Sequence, residues 1–131
     1  MFFKRNVNLN KTIIEIHIYE SSTKVSLSKN NQLLENFSLD FGRKDIIEKA
    51  YNEMSFVDNS LKQLNIENFC LLHKSKIYSY IKDYVSYIEY SILIKFKIPS
   101  KIDNVFIYTS DIDLFKSEFS RKFNNSILKA I

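Results

Sequence analysis

The chain has 131 residues, 45% of them apolar, and a net charge of +4, which fits one domain with a single core and argues against intrinsic disorder. Its one glycine and one cysteine exclude an internal disulfide, a G-x-S-x-G elbow and the glycine-rich phosphate loops of Walker, Rossmann and kinase type. Lysines are scattered among Glu and Asp instead of forming the basic stripe of a nucleic-acid footprint.

Residues 1–11 read as a polar arm with Phe2-Phe3-Lys4-Arg5 at its tip, and it lacks the apolar region and cleavage site of a secretory signal. From Thr12 the pattern alternates, with Ile14, Ile16 and Ile18 on one strand face and Ile13, Glu15, His17 and Tyr19 on the other. A second strand is predicted over Thr23 to Ser28. Lys29-Asn30-Asn31 signals a turn, since Asn tolerates the left-handed conformation. A third strand follows from Gln32 to Phe41. Three short-looped strands in succession make an antiparallel meander.

After Gly42 the period becomes helical, with Ile46, Ile47, Ala50, Tyr51 and Met54 on one stripe. Val57, Leu61 and Leu64 suggest a second helix broken near Asn65. A long helix is predicted from His73 to Phe96, its face built from Ile77, Ile81, Val85, Ile88 and Ile92 and its end set by Pro99. Lys82, Asp83, Glu89 and Lys95 interrupt that stretch and argue against a membrane span. Asp103 to Tyr108 reads as a buried strand. Ser110 as N-cap and Asp113 three residues later open a final helix carrying Ile112, Phe115, Phe119 and Phe123. Ile127 to Ile131 can close the order with a last strand. Residues 12–131 thus form a single α/β domain of order β-β-β-α-α-α-β-α.

Ile16-His17-Ile18-Tyr19 through Ser22, Lys24 and Val25 resembles the first phosphate-binding hairpin of the actin-like, ribonuclease H-like ATPases. Their pattern there runs I-D-I-G-x-x-S-x-K-V. Val105 to Leu114 resembles the strand, double-glycine turn and helix of the same superfamily's adenosine loop. Met1-Phe2-Phe3-Lys4-Arg5 is similar to the opening arm of its type IV pilus assembly members, and cell-division actin-like proteins are the other near resemblance. The resemblance implies a three-stranded meander extended by parallel strands and packed with helices. His17 stands in place of the metal-facing aspartate, Tyr19 in place of a glycine, and Thr109-Ser110 in place of the paired glycines. A histidine does not organise magnesium-bound water as a carboxylate does. A tyrosine in the turn crowds the amides that would meet phosphate. The expectation is a fold without nucleotide chemistry: not an enzyme, with no cofactor.

Other chemistry is thinly supported. Cys70 with His73 and Glu15 with His17 are single pairs, short of the four ligands of a zinc site, so Cys70 reads as a small core residue. Asp111 and Asp113 fit cap and dipole roles at a helix start. The tyrosines from Tyr78 to Tyr90 are the most distinctive cluster. Tyr80, Tyr84 and Tyr87 recur at i, i+4 and i+7 and are the candidate partner-binding stripe. The expected role is a cytoplasmic scaffold or adaptor in a bacterial envelope machine of type IV pilus or type II secretion-like kind. Its partner would be the tail of an inner-membrane protein or a second actin-like subunit. The alternative is a small nucleic-acid-binding or ribonuclease H-like protein of a phage or mobile element.

Overall fold

The structure is a computed structural model that describes residues 11–97 and 101–131. The Phe2-Phe3-Lys4-Arg5 tip and the helix-ending Pro99 of the sequence reading lie outside the described residues. The elements run β1 (Thr12–Ile18), β2 (Thr23–Lys29), β3 (Gln32–Leu39), α1 (Arg43–Val57), a 3₁₀ turn (Asn59–Gln63), α2 (Ile66–Leu72), α3 (Lys74–Lys95), β4 (Asn104–Thr109), α4 (Ile112–Lys122) and β5 (Ser126–Ala130).

Period-two alternation sets the first three strands. Every second residue of β1 is buried, and β1–β2 and β2–β3 pair antiparallel. Asn30 and Asn31 both take positive φ (56° and 65°), the double left-handed step of a tight hairpin turn that Asn accepts most readily after Gly. β3 stops at Leu39, two residues short of the predicted Phe41. The ladder ends there because β2 begins at Thr23, the partner of Leu39, and the Phe41 carbonyl accepts a hydrogen bond from Thr23 Oγ1 instead (2.8 Å).

Parallel strands cannot be joined by a hairpin and need a crossover. Segments α1 to α3 supply it between β3 and β4, and α4 supplies it between β4 and β5. The result is one five-stranded sheet of order β3-β2-β1-β4-β5, with β1–β4 and β4–β5 parallel.

The segment predicted as one helix broken at Asn65 is instead a 3₁₀ turn followed by a short helix. Asp58 caps the first through the Ser60 amide, and Asn65 caps the second through the Asn68 amide (2.8 Å). These polar side chains offer the backbone local partners that compete with a continuous helix. Phe56 and Val57 lie exposed at the end of α1. The cap of α4 also shifts by one: Asp111, not Ser110, accepts from the Leu114 amide (3.3 Å).

One core joins Ile14, Ile16 and Ile18 of β1, Val25 and Leu27 of β2, and Val105 and Ile107 of β4 to the inward faces of the helices. Ile47, Phe69, Ile81, Val85, Ile88, Phe115 and Phe119 are the principal helical members. Cys70 is buried within it, and burial raises its thiol pKa. The opposite sheet face, with Glu15, His17, Phe106 and Tyr108, carries no fully buried side chain among the described residues.

Candidate functional site

In open α/β sheets, ligands settle beyond the carboxyl ends of the strands where the strand order switches direction. Here that place lies between the ends of β1 and β4. The β1–β2 turn (Tyr19 to Ser22), the Gly42-Arg43 start of α1 and the Thr109 to Asp111 loop are held together there by hydrogen bonds. A helix N-terminus binds anions through amides that have no partner within the helix. In α1 the leading amides are already taken: Arg43 N donates to the Tyr19 carbonyl and Lys44 N to the Glu20 carbonyl, each at 2.9 Å.

Gly42 makes that docking possible by its lack of a side chain. Its φ of −147° is extended backbone open to any residue, so conformation does not demand glycine here. Space does: a Cβ would collide with the Tyr19 carbonyl oxygen and stand 2.9 Å from both the amide nitrogen and the carbonyl oxygen of Ser22. The single glycine serves hairpin-to-helix contact.

Over this junction lies Arg43, its side chain only 12% exposed. Its Nε donates to Asp111 Oδ2 (3.1 Å), Nη1 to Glu20 Oε1 (3.1 Å) and Nη2 to Glu67 Oε2 (3.4 Å). One guanidinium so ties together the hairpin turn, α2 and the β4–α4 loop, and three carboxylates converge on one cation. Burial works to lower the Arg43 pKa, but the bonds to Asp111 and Glu67 and the charge of Glu20 outweigh it, leaving it raised. On the far side, Thr109 is fully buried and its Oγ1 accepts from the Asp111 amide (3.1 Å), so side-chain atoms fill the turn where the resemblance has paired glycines.

His17 is near this junction in sequence but lies on the sheet face opposite the core. Its Nε2 lies 3.5 Å from Glu15 Oε1 and its Nδ1 3.5 Å from the Tyr19 hydroxyl. Its ring stacks on Tyr108 with centroids 4.5 Å apart. Arg43 escapes a sequence reading because its partners are 23, 24 and 68 residues away. The faint signal is an arginine directly after the only glycine at a helix start.

The second candidate is a groove of about 300 Å³ between α1 and α3. Tyr80, Tyr84 and Tyr87 line one wall, with Phe41, Asp45, Ile46, Lys49 and Asp83 around it. The three tyrosines do meet there, in unequal roles. Tyr87 is exposed and packs against Phe41. Tyr80 is half-buried and donates from its hydroxyl to Glu53 Oε1 (2.9 Å), tethering α3 to α1.

Tyr84 is a correction. It is 4% exposed, its hydroxyl 2.5 Å from Thr23 Oγ1 and its ring edge-on to Phe41. Burial raises its phenol pKa strongly. Tyr84 is therefore the floor of the groove and part of the core, and it cannot be removed without disturbing the fold. The stripe leans inward at Tyr84 because its hydroxyl finds a buried partner on β2, which helical spacing alone does not reveal. Beyond the groove, Tyr90, Leu93 and Ile94 continue the exposed apolar surface of α3.

Neither a protein-family model nor a curated protein sequence matches this chain. Solved structures do. The apo ParM protein of psk41 superposes with a TM-score of 0.76 at 11% identity, over 95% of this chain and 37% of that one. An Alp12 filament structure gives 0.69 at 18% identity over 92% and 43%. The PilM–PilN type IV pilus biogenesis complex gives 0.66 at 15% identity over 98% and 38%. The chain spans less than half the length of each of these proteins. No helix among the described residues is long and apolar enough to cross a membrane. A meander, helical crossover and parallel strands in this order, superposing along nearly the whole chain, identify the fold as actin-like.

Proposed function

We propose that this chain is a non-catalytic actin-like scaffold that binds the tail of a partner protein in place of a nucleotide, in a bacterial envelope assembly of type IV pilus or type II secretion-like kind. The observation that carries this reading is the closed junction at the strand ends. The first amides of α1 are bonded to Tyr19 and Glu20, and Arg43 bridges three carboxylates across the gap. A triphosphate would have to displace those bonds and approach two carboxylates in excess of the single cation, an unfavourable exchange at short range.

The groove along α3 supports the binding half of the proposal. Its apolar floor of Phe41, Ile46 and Tyr84 suits an apolar anchor residue, and the exposed ring of Tyr87 extends the contact area. Aromatic anchors of this kind dominate the energetics of protein interfaces. One structural neighbour is itself a complex, PilM–PilN, in keeping with partner capture on this fold.

Two measurements test the proposal. Calorimetry with Mg-ATP is expected to show no binding tighter than about 1 mM, and the melting temperature to stay put, since a native-state ligand raises it. Micromolar affinity would overturn the non-catalytic reading. Affinity capture from a bacterial cell extract, with Tyr87→Ala beside the unaltered chain, is expected to recover an envelope-machine protein that the variant loses. Equal recovery by both would remove the groove from the proposal.

A further inference from the structure

We propose that the partner segment taken by the α1–α3 groove carries an arginine, its guanidinium seated over the Tyr87 ring and against the Asp83 carboxylate. This deepens the reading above and rests on it: the groove is the partner site, and its rim sets the partner's chemistry. The groove measures about 300 Å³, the lower limit of small-molecule pockets (roughly 300–1,000 Å³). That size suits the side chains of a bound segment better than a cofactor.

The rim is acidic in a chain whose net charge is +4. Asp45 and Asp83 line the groove, and Lys49 is the one cation among the lining residues. Glu53 stands beside them, accepting from the Tyr80 hydroxyl at 2.9 Å. These carboxylates are not alike. Asp45 is used by the fold, since its Oδ2 accepts from the Gly42 amide (2.9 Å) at the start of α1. Glu53 holds Tyr80. Asp83 is exposed and makes no side-chain hydrogen bond or ion pair among the described residues. Negative charge is felt at Tyr80, whose phenol pKa is raised by burial, by the bond to Glu53 and by the charges of Glu53 and Asp83.

Aromatic rings flank the unpaired carboxylate. Tyr80, Asp83 and Tyr87 recur at i, i+3 and i+7 along α3, one helical stripe, and all three line the groove. Tyr87 is 49% exposed, and its tilted contact with Phe41 (centroids 5.6 Å apart) leaves ring surface open. A cation over an open tyrosine face is attracted by the ring quadrupole. Guanidinium suits this place better than ammonium, because it is flat enough to stack while its N–H fork meets a carboxylate. Its methylene stem would lie on the apolar floor, as long basic side chains do on apolar surface. An acidic segment would meet like charge here. A purely apolar one would strip water from Asp83 and offer it no partner.

The probe is a short fluorescein-labelled peptide with one leucine and one arginine in an alanine background, read by fluorescence anisotropy. One comparator replaces arginine by citrulline, which keeps the shape and loses the charge, and another replaces it by glutamate. The arginine peptide is expected to bind about tenfold more tightly than the citrulline peptide, through a cation–π contact and a charged hydrogen bond. The glutamate peptide is expected not to bind. Asp83→Asn is expected to erase most of the preference for arginine while leaving the citrulline affinity where it was. Tyr87→Leu, which keeps an apolar contact and removes the ring, is expected to lessen the same preference. Arg5→Ala is expected to change nothing; a gain in affinity would hand the site to this chain's own Arg5 and overturn its assignment to a partner. Equal binding of the arginine and citrulline peptides, both lost on Tyr87→Ala, would overturn the arginine and leave the groove standing. Binding of both that survives Tyr87→Ala, or no binding by either, would overturn the groove as well.

Discussion

Replacing Gly42 by alanine tests whether the strand-end junction is held by close backbone contact. The added methyl would overlap the Tyr19 carbonyl oxygen and crowd Ser22 N and O at 2.9 Å. These are backbone atoms of a turn closed by Tyr19 N donating to Ser22 O (2.9 Å), so no side-chain rotation relieves the overlap. The hairpin and α1 must separate, which breaks the Arg43 N–Tyr19 O and Lys44 N–Glu20 O bonds. Two lost hydrogen bonds cost about 2 kcal/mol, and the overpacking adds about 1–3 kcal/mol. Against this, alanine restricts the unfolded chain and recovers roughly 0.4–1 kcal/mol. The net expectation is a loss of about 3 kcal/mol, since the extended φ of Gly42 adds no conformational strain. With a urea m-value of about 1.5 kcal/mol/M for a domain of this size, the unfolding midpoint should fall by about 2 M. A fall equivalent to less than about 0.5 kcal/mol, the range of neutral surface substitutions, would refute the close-contact role of this glycine.

Tyr84→Ala is expected to cost about 3–5 kcal/mol, as for other large buried side chains, while Tyr87→Ala should stay within about 0.5 kcal/mol; urea unfolding of both reads the difference. Arg43→Met should lose most through Asp111, whose side chain is 19% exposed, and little through Glu20 and Glu67, which are 56% and 68% exposed. A double-mutant cycle of Arg43→Met with Asp111→Asn is expected to show a coupling of about 1 kcal/mol, against under about 0.5 kcal/mol with Glu67→Gln. Burial raises the Tyr84 phenol pKa above its ordinary 10.0, so the unfolded chain ionises first. The stability this contributes is complete below about pH 10 and is lost as pH climbs above it. Melting temperature followed from pH 8 to 11 should show that decline, and Tyr84→Phe should lessen it.

Much of the architecture was readable because secondary-structure periods are local. Alternation in Thr12–Ile18, the Asn30-Asn31 turn and the 3.6-residue repeat of α3 each depend on side chains within a few positions of one another. The strand-end site was half readable. The bulky residues at Tyr19 and Thr109-Ser110 stand out in the sequence, but the contacts made around them do not. Arg43 draws its partners from three separate segments, and no periodicity links an arginine at 43 to an aspartate at 111.

The tyrosine stripe divides in the same way. Spacing placed Tyr80, Tyr84 and Tyr87 on one side of a helix, and the tertiary structure set their depth. Tyr84 turns into the core because Thr23, 61 residues earlier, brings a buried oxygen to its hydroxyl. By itself, then, the sequence determined the meander and the helical segments, properties of neighbouring side chains acting on their own backbone. Only the tertiary structure decided that Arg43 spans the β1–β2 turn, that the groove stands open beside Tyr87 and that one sheet face holds no fully buried side chain among the described residues. Each of those depends on which distant surfaces meet when the sheet closes.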